Sequence, residues 1–199
     1  MEPPPNACGG GESEKFFSLV EADVVSYGDS KTLAGTYQPL LQQYLLYVDG
    51  PHITNYILAA NGRTAATGAA AIDAELAASS ANPGYILFNL GVTDADAWPA
   101  EATWKANIGY ILDAMHTKWP RALIYMMRVW RRDYSAECNT LDGWIDAIIA
   151  ARDYCRTGPD ERVFLENGDN GVTYTADGIH PNAAGYALTA TQWQTAIGY

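Results

Sequence analysis

Apolar positions along this chain follow two rhythms. Short runs dense in β-branched and aromatic residues occur at Asp23–Tyr27, Ile53–Ala59, Tyr85–Leu90, Ala122–Val129 and Arg162–Glu166. Near-continuous apolar runs of this length read as strands buried on both faces. Between them, apolar residues recur at helical spacing over Tyr37–Tyr47, Thr67–Ala78, Ala100–Lys118, Leu141–Arg156 and Asn182–Ala196. Pro99 stands just before the third helical pattern and Pro120 just after it, where proline is tolerated and where it stops a helix. Strands alternating with helices of this length imply right-handed crossovers and a parallel sheet. The expectation is one three-layer α/β/α domain with a five-stranded parallel sheet, spanning residues 18–199 after a flexible N-terminal segment at 1–17.

Composition narrows the picture without deciding it. The chain has 199 residues, 48% of them hydrophobic and 18% charged, which describes a globular domain rather than a disordered one. No apolar run is long enough to cross a bilayer. Residues Met1 to Gly11 (MEPPPNACGGG) lack the basic start and apolar middle of a signal peptide, and read as a linker, a processed end or a cloning remnant. Localisation stays open, with secretion or membership of a larger extracellular protein among the options. A net charge of −11, from 12 Lys+Arg against 23 Asp+Glu, argues against nucleic acid or an anionic membrane as partner. Cys8, Cys138 and Cys155 have no zinc-type spacing. Cys138 and Cys155 flank a predicted helix and are either a disulfide, if the protein is exported, or buried free thiols.

Ligands of such sheets bind beyond the carboxyl ends of the strands. The residues that follow each predicted strand are therefore the ones to inspect. They are Gly28-Asp29-Ser30, Asn61-Gly62-Arg63-Thr64, Gly91-Val92-Thr93-Asp94, Trp130-Arg131-Arg132-Asp133 and, after the fifth, Asp177-Gly178-Ile179-His180-Pro181. Ser30 reads either as a helix cap or as a nucleophile held at the sheet edge. Only His52, His116 and His180 are available as bases. His116 falls inside a helical pattern and His52 at the opposite edge of the sheet, so both read as surface or structural residues. Asp177 and His180 are three apart across a glycine turn, a spacing that lets the carboxylate accept an imidazole N–H. The alternative is that Asp177 caps a turn and Asn182 caps the last helix. Asp169, in Asn167-Gly168-Asp169-Asn170-Gly171, lacks the ligand spacing of a calcium loop and reads as a surface turn.

Together these blocks resemble the SGNH hydrolase superfamily, also called the GDSL esterase/lipase family. Tyr27-Gly28-Asp29-Ser30 is similar to its nucleophile block, Asn61-Gly62-Arg63-Thr64 to its second, Gly91-Val92-Thr93-Asp94 to its third, and Asp177-Gly178-Ile179-His180-Pro181 to its last. The resemblance covers almost the whole chain, in the family order. It implies a flavodoxin-like fold and a Ser30–His180–Asp177 triad. The implied oxyanion hole comprises the Ser30 and Gly62 N–H groups and the side chain at position 93. It implies no cofactor and no metal. Two residues depart from the pattern. Lys31 replaces the family leucine, a change expected to stay clear of the chemistry. Thr93 replaces the asparagine whose amide is the third oxyanion donor; a threonine hydroxyl also donates, but it is shorter and free to rotate.

The implied activity is hydrolysis of small acyl esters through an acyl-enzyme, with an acylated carbohydrate as the preferred substrate. Trp98, Trp130, Arg131 and Arg132 are the candidate substrate contacts, against the alternative of a solvated loop whose arginines pair with surplus carboxylates. Rival readings are a thioesterase or lysophospholipase of the same family, or a catalytically weak carbohydrate-binding domain of a larger assembly. The sequence leaves the oligomeric state open.

Overall fold

The computed structural model describes residues 23–34, 37–41 and 54–198. The predicted N-terminal segment, Cys8, His52 and the distal part of the first predicted helix lie outside them. Five parallel strands are present: β1 (Asp23–Gly28), β2 (Asn55–Ala59), β3 (Pro83–Asn89), β4 (Leu123–Arg128) and β5 (Cys155–Asp160). Their order is β2-β1-β3-β4-β5. The direction of winding reverses between β1 and β3, so the switch point of the sheet lies where Ser30 and Thr93 leave it.

Period-two alternation divides the strand side chains between two cores. Val25, Tyr27, Ile86, Phe88, Ile124 and Met126 join one, with residues of α3 (Ala65–Ala78), α5 (Glu101–Lys118) and α6 (Ser135–Ala150). Val24, Leu87 and Met127 join the other, with residues of α2 (37–41), α7 (Ala183–Ile197) and a π-helical turn at Arg162–Glu166. Both faces are covered, as an all-parallel sheet requires. Two short helices were not foreseen: α1 (Ser30–Leu33) and α4 (Val92–Ala97). Each begins within a few residues of a strand end, directly at the carboxyl edge.

The fifth strand corrects the sequence reading. Arg162–Glu166 (RVFLE) has strand-like composition but forms the π-helical turn, because the adjacent residues Phe164 and Leu165 both enter the second core while Val163 is 73% exposed. Neighbours that point the same way do not fit a strand. The strand is instead Cys155–Asp160 (CRTGPD), and α6 ends at Ala150, short of the predicted Arg156. β5 sits at the sheet edge, where Pro159 is tolerated because no strand needs its missing N–H. Gly158 belongs there because a Cβ would stand 2.8 Å from the Met126 backbone carbonyl. Cys138 and Cys155 are buried free thiols, not a disulfide.

Candidate active site

Gly28 lets the chain turn tightly out of β1. A Cβ there would collide with Thr32 Oγ1 and with the Asn89 carbonyl oxygen, so the single turn of α1 packs directly onto the ends of β1 and β3. Asp29 caps that turn by accepting from the Lys31 backbone N–H at 3.0 Å. Ser30 is the first residue of α1, and its Oγ lies 2.9 Å from His180 Nε2. On the other side of the ring, His180 Nδ1 lies 2.7 Å from Asp177 Oδ2. Ser30 and His180, 150 positions apart in sequence, thus form one continuous line of contacts with Asp177.

Asp177 is held in place by its own backbone. Its Oδ1 accepts from the N–H groups of Ile179 at 2.9 Å and His180 at 2.7 Å. Burial alone would raise the Asp177 carboxyl, but the hydrogen bonds from the His180 ring and these two N–H groups outweigh it and bring it down to about 2. The carboxylate is therefore ionised wherever the protein is folded at ordinary pH. Asn182 caps α7 by accepting from Gly185 N–H, so the segment serves both of the roles its sequence allowed.

Hydrogen bonds also join the other strand exits. Ala60 N–H donates to the Gly28 carbonyl at 3.3 Å, which sets the Asn61–Thr64 loop beside α1. Gly62 turns there with φ +65, in the left-handed region. Arg63 is buried, stacked 4.7 Å above the Tyr27 ring, and it pairs with Glu75. Asp94 accepts from Ala65 N–H at 3.0 and 3.1 Å, joining α4 to the start of α3. Burial raises its carboxyl to about 6. Thr93 lies in the first turn of α4, partly accessible.

The chain as a whole has counterparts among known proteins. Residues 19–188 match the family model described as the GDSL-like lipase/acylhydrolase family. The chain belongs to that family. No curated protein matches the sequence significantly. Among solved structures, TesA superposes with a TM-score of 0.71 at 22% identity, covering 88% of this chain and 98% of that one. The acetyl xylan esterase AlAXEase gives 0.73 at 15% identity, over 88% of this chain and 99% of that one. A mutant of Axe2, an acetyl-xylooligosaccharide esterase from Geobacillus Stearmophilus, gives 0.75 at 13% identity, over 90% and 96%. At these identities the structures show a shared fold.

In this GDSL-like chain the four candidate substrate contacts part company. Trp98 is 47% exposed and sits at φ 42 in the left-handed region, unusual for a bulky side chain. Its ring lies 5.8 Å from Trp144, which lies 5.7 Å from the buried Trp104. Arg131 stacks 4.4 Å above Tyr134 and stands 3.8 Å from Asp96 of α4. Arg132 is half-buried and tied to the neighbouring loops: its Nε donates to the Asn170 carbonyl at 2.7 Å, its backbone N–H to the Gly178 carbonyl at 2.9 Å, and its side chain underlies Gly178. Trp130 is 0% exposed, inside the second core, so its ring offers no face to a substrate. An aromatic residue after a strand reads alike whether it lines a pocket or plugs a core.

A second set of buried carboxylates stands at this edge, outside every motif recognised in the sequence. Glu161 pairs with Lys31, and Asp142 accepts from Val129 N–H at 3.0 Å, with burial raising the Asp142 carboxyl to about 7. Misplacing the fifth strand hid Glu161, which directly follows the true β5. A groove of about 930 Å³ lined by Asp113, Arg152, Tyr154 and Cys155 opens at the amino end of β5, away from Ser30. Among the described residues, no group of three or more His, Cys, Asp or Glu is placed to hold a metal ion. Nor is any described helix long and apolar enough to cross a membrane.

Proposed function

We propose that this chain is a serine ester hydrolase in which Ser30 is the nucleophile, His180 the general base and Asp177 the group that orients it. The continuous Ser30–His180–Asp177 contact carries this reading. With its Nδ1 proton donated to an ionised Asp177, His180 presents Nε2 as an acceptor to the Ser30 hydroxyl. Ser30 Oγ attacks the ester carbonyl carbon as its proton passes to Nε2, and Asp177 stabilises the imidazolium. Collapse of the tetrahedral intermediate breaks the bond to the alcohol oxygen, which takes the proton from His180. Water then attacks the acyl-Ser30 carbonyl, gives its proton to His180, and releases the acid and free Ser30.

The developing oxyanion is assigned to the N–H groups of Ser30 and Gly62, with the Thr93 hydroxyl as third donor. Ser30 is the first residue of its helix, so no intrahelical carbonyl is available to its N–H. Gly62 stands on the loop that follows the Ala60 N–H bond to the Gly28 carbonyl, and Thr93 stands in the first turn of α4, which Asp94 joins to the start of α3.

For substrate, the reading is a small acyl ester of a carbohydrate. Trp98 offers an exposed aromatic face of the kind sugar rings stack upon, held out by backbone strain and by the Trp144 ring behind it. The esterases of acetylated xylan and xylo-oligosaccharides among its structural relatives support the same choice. The test is acetate release from an acetylated xylo-oligosaccharide by the wild type and Ser30→Ala, beside esters of longer acyl chains. Release by the wild type alone, fading with acyl length, is expected. Equal or greater rates on long acyl chains would reject the substrate assignment.

A further inference from the structure

Lys31 directly follows the nucleophile, yet its side chain is only 1% exposed, as is that of Glu161. The lysine Nζ donates to Glu161 Oε2 at 2.6 Å and to the Trp130 carbonyl at 2.7 Å. The same Glu161 oxygen accepts from Trp130 N–H at 2.9 Å. Trp130 lies beyond the last β4–β5 pair, Arg128 with Asp160. Two charged side chains therefore take the backbone groups of Trp130 where the strand ladder has ended. A buried pair of this kind gives little net stability compared with apolar residues of the same volume, so stability alone does not account for it.

The Trp130 ring continues the connection. It presses on Gly171, where a Cβ would overlap its six-membered ring. The Gly171 carbonyl accepts from Thr175 N–H at 3.1 Å and from Thr175 Oγ1–H at 2.7 Å. Thr175 Oγ1 in turn accepts from Gly178 N–H at 3.0 Å, inside the turn between Asp177 and His180. Ala176 N–H donates to the His180 carbonyl at 2.8 Å. One unbroken path of packing and hydrogen bonds thus runs from the residue after Ser30 to the loop that carries His180.

We propose that Lys31, Glu161 and Trp130 form a positioning device: the ion pair fixes the Trp130 backbone to the nucleophile's helix, and the Trp130 ring sets the height of the His180 loop against Ser30. None of the three touches the reacting atoms. The proposal rests on the assignment of Ser30 and His180 as the reacting pair.

Three variants test it in the full chain. Lys31→Met/Glu161→Leu removes both charges together and leaves the Trp130 N–H and carbonyl without side-chain partners. It should still melt cooperatively, while kcat for p-nitrophenyl acetate falls about 10²-fold, the scale of a displacement near 1 Å, and KM hardly moves. Lys31→Met/Glu161→Gln keeps an acceptor for Trp130 N–H and should recover most of that loss. Trp130→Phe shortens the ring that meets Gly171 and leaves the backbone and the ion pair intact, so it should reproduce the fall in kcat; it decides the matter if the first variant does not fold. Wild-type kcat in Lys31→Met/Glu161→Leu, a loss confined to KM, or a silent Trp130→Phe would each overturn the proposal.

The ring ¹⁵N NMR signals of His180 at one fixed pH separate this from failure of the hydrolase reading, because they need no turnover. Ser30→Ala should shift the His180 Nε2 signal in the wild-type background, where Ser30 Oγ stands 2.9 Å away, and shift it far less in Lys31→Met/Glu161→Leu. Equal shifts in both backgrounds overturn the positioning role even if the protein hydrolyses nothing. No shift in either background overturns the Ser30–His180 pairing itself, and the positioning proposal with it.

Discussion

Asp29→Asn gives a sharp test of the electrostatics beneath Ser30. Asp29 is fully buried; one carboxylate oxygen caps α1 and the other has no hydrogen-bond partner. Burial raises its carboxyl from 3.8 to about 7, against the opposing pull of the Lys31 ammonium. Below pH 4 the folded and unfolded chains both hold this proton, and the stability associated with it is fully present. Between pH 4 and 7 the unfolded chain releases the proton while the folded chain keeps it, so stability is lost as pH rises. Each pH unit of that window is worth roughly 1.4 kcal/mol, for a total of about 4 kcal/mol, and the loss levels off above pH 7. Asparagine keeps the cap to Lys31 N–H and cannot ionise. Urea denaturation at pH 4, 5.5, 7 and 8 should show Asp29→Asn gaining on the wild type across the window and then holding its lead. A stability difference that stays constant with pH would refute the reasoning, because Asp29 would then titrate alike in both states.

Three further outcomes follow from the site. His180→Ala should lower kcat by several orders of magnitude and Asp177→Asn by less, while His116→Ala, whose ring is stacked on Tyr154, should match the wild type; an equal loss at His116 means that the base is misassigned. Thr93→Asn should raise kcat more than it changes KM, and Thr93→Val should lower it, since one oxyanion donor is typically worth about 10²–10³ in kcat; steady-state rates on one activated ester decide, and two silent variants place residue 93 outside the oxyanion hole. Trp98→Ala should raise KM for an acetylated xylo-oligosaccharide and leave p-nitrophenyl acetate unchanged; equal effects on both substrates would remove the sugar platform.

Much of this molecule was legible because the physics at those positions is local. Neighbours such as Val24 and Val25, or Ile86 and Leu87, enter opposite cores, and a parallel sheet covered on both faces needs apolar residues at both. The polar segments after the strands were found for the same reason: all the strands run one way, so all their exits reach one edge. What failed was non-local. Cys155–Asp160 carries Gly, Pro and charge because it is an edge strand, and nothing in its own composition says that β4 lies beside it. RVFLE looked like a strand because β-forming composition does not reveal that Phe164 and Leu165 face the same way. Trp130 was expected as a substrate contact and is buried, and the burial of Lys31 was not foreseen. Their burial depends on Glu161 and Gly171, distant residues that supply an anion and an open space. Arg132 likewise owes its course to Asn170 and Gly178, which its sequence neighbourhood does not reveal.

The central claim is that Ser30 is a nucleophile activated by His180. Its most direct test is incubation with a fluorophosphonate, followed by intact mass and peptide mapping, which needs no knowledge of the substrate. The account predicts one adduct per chain, on Ser30, lost in Ser30→Ala and strongly slowed in His180→Ala. Labelling of another serine such as Ser26 or Ser135, or labelling indifferent to His180, would contradict it.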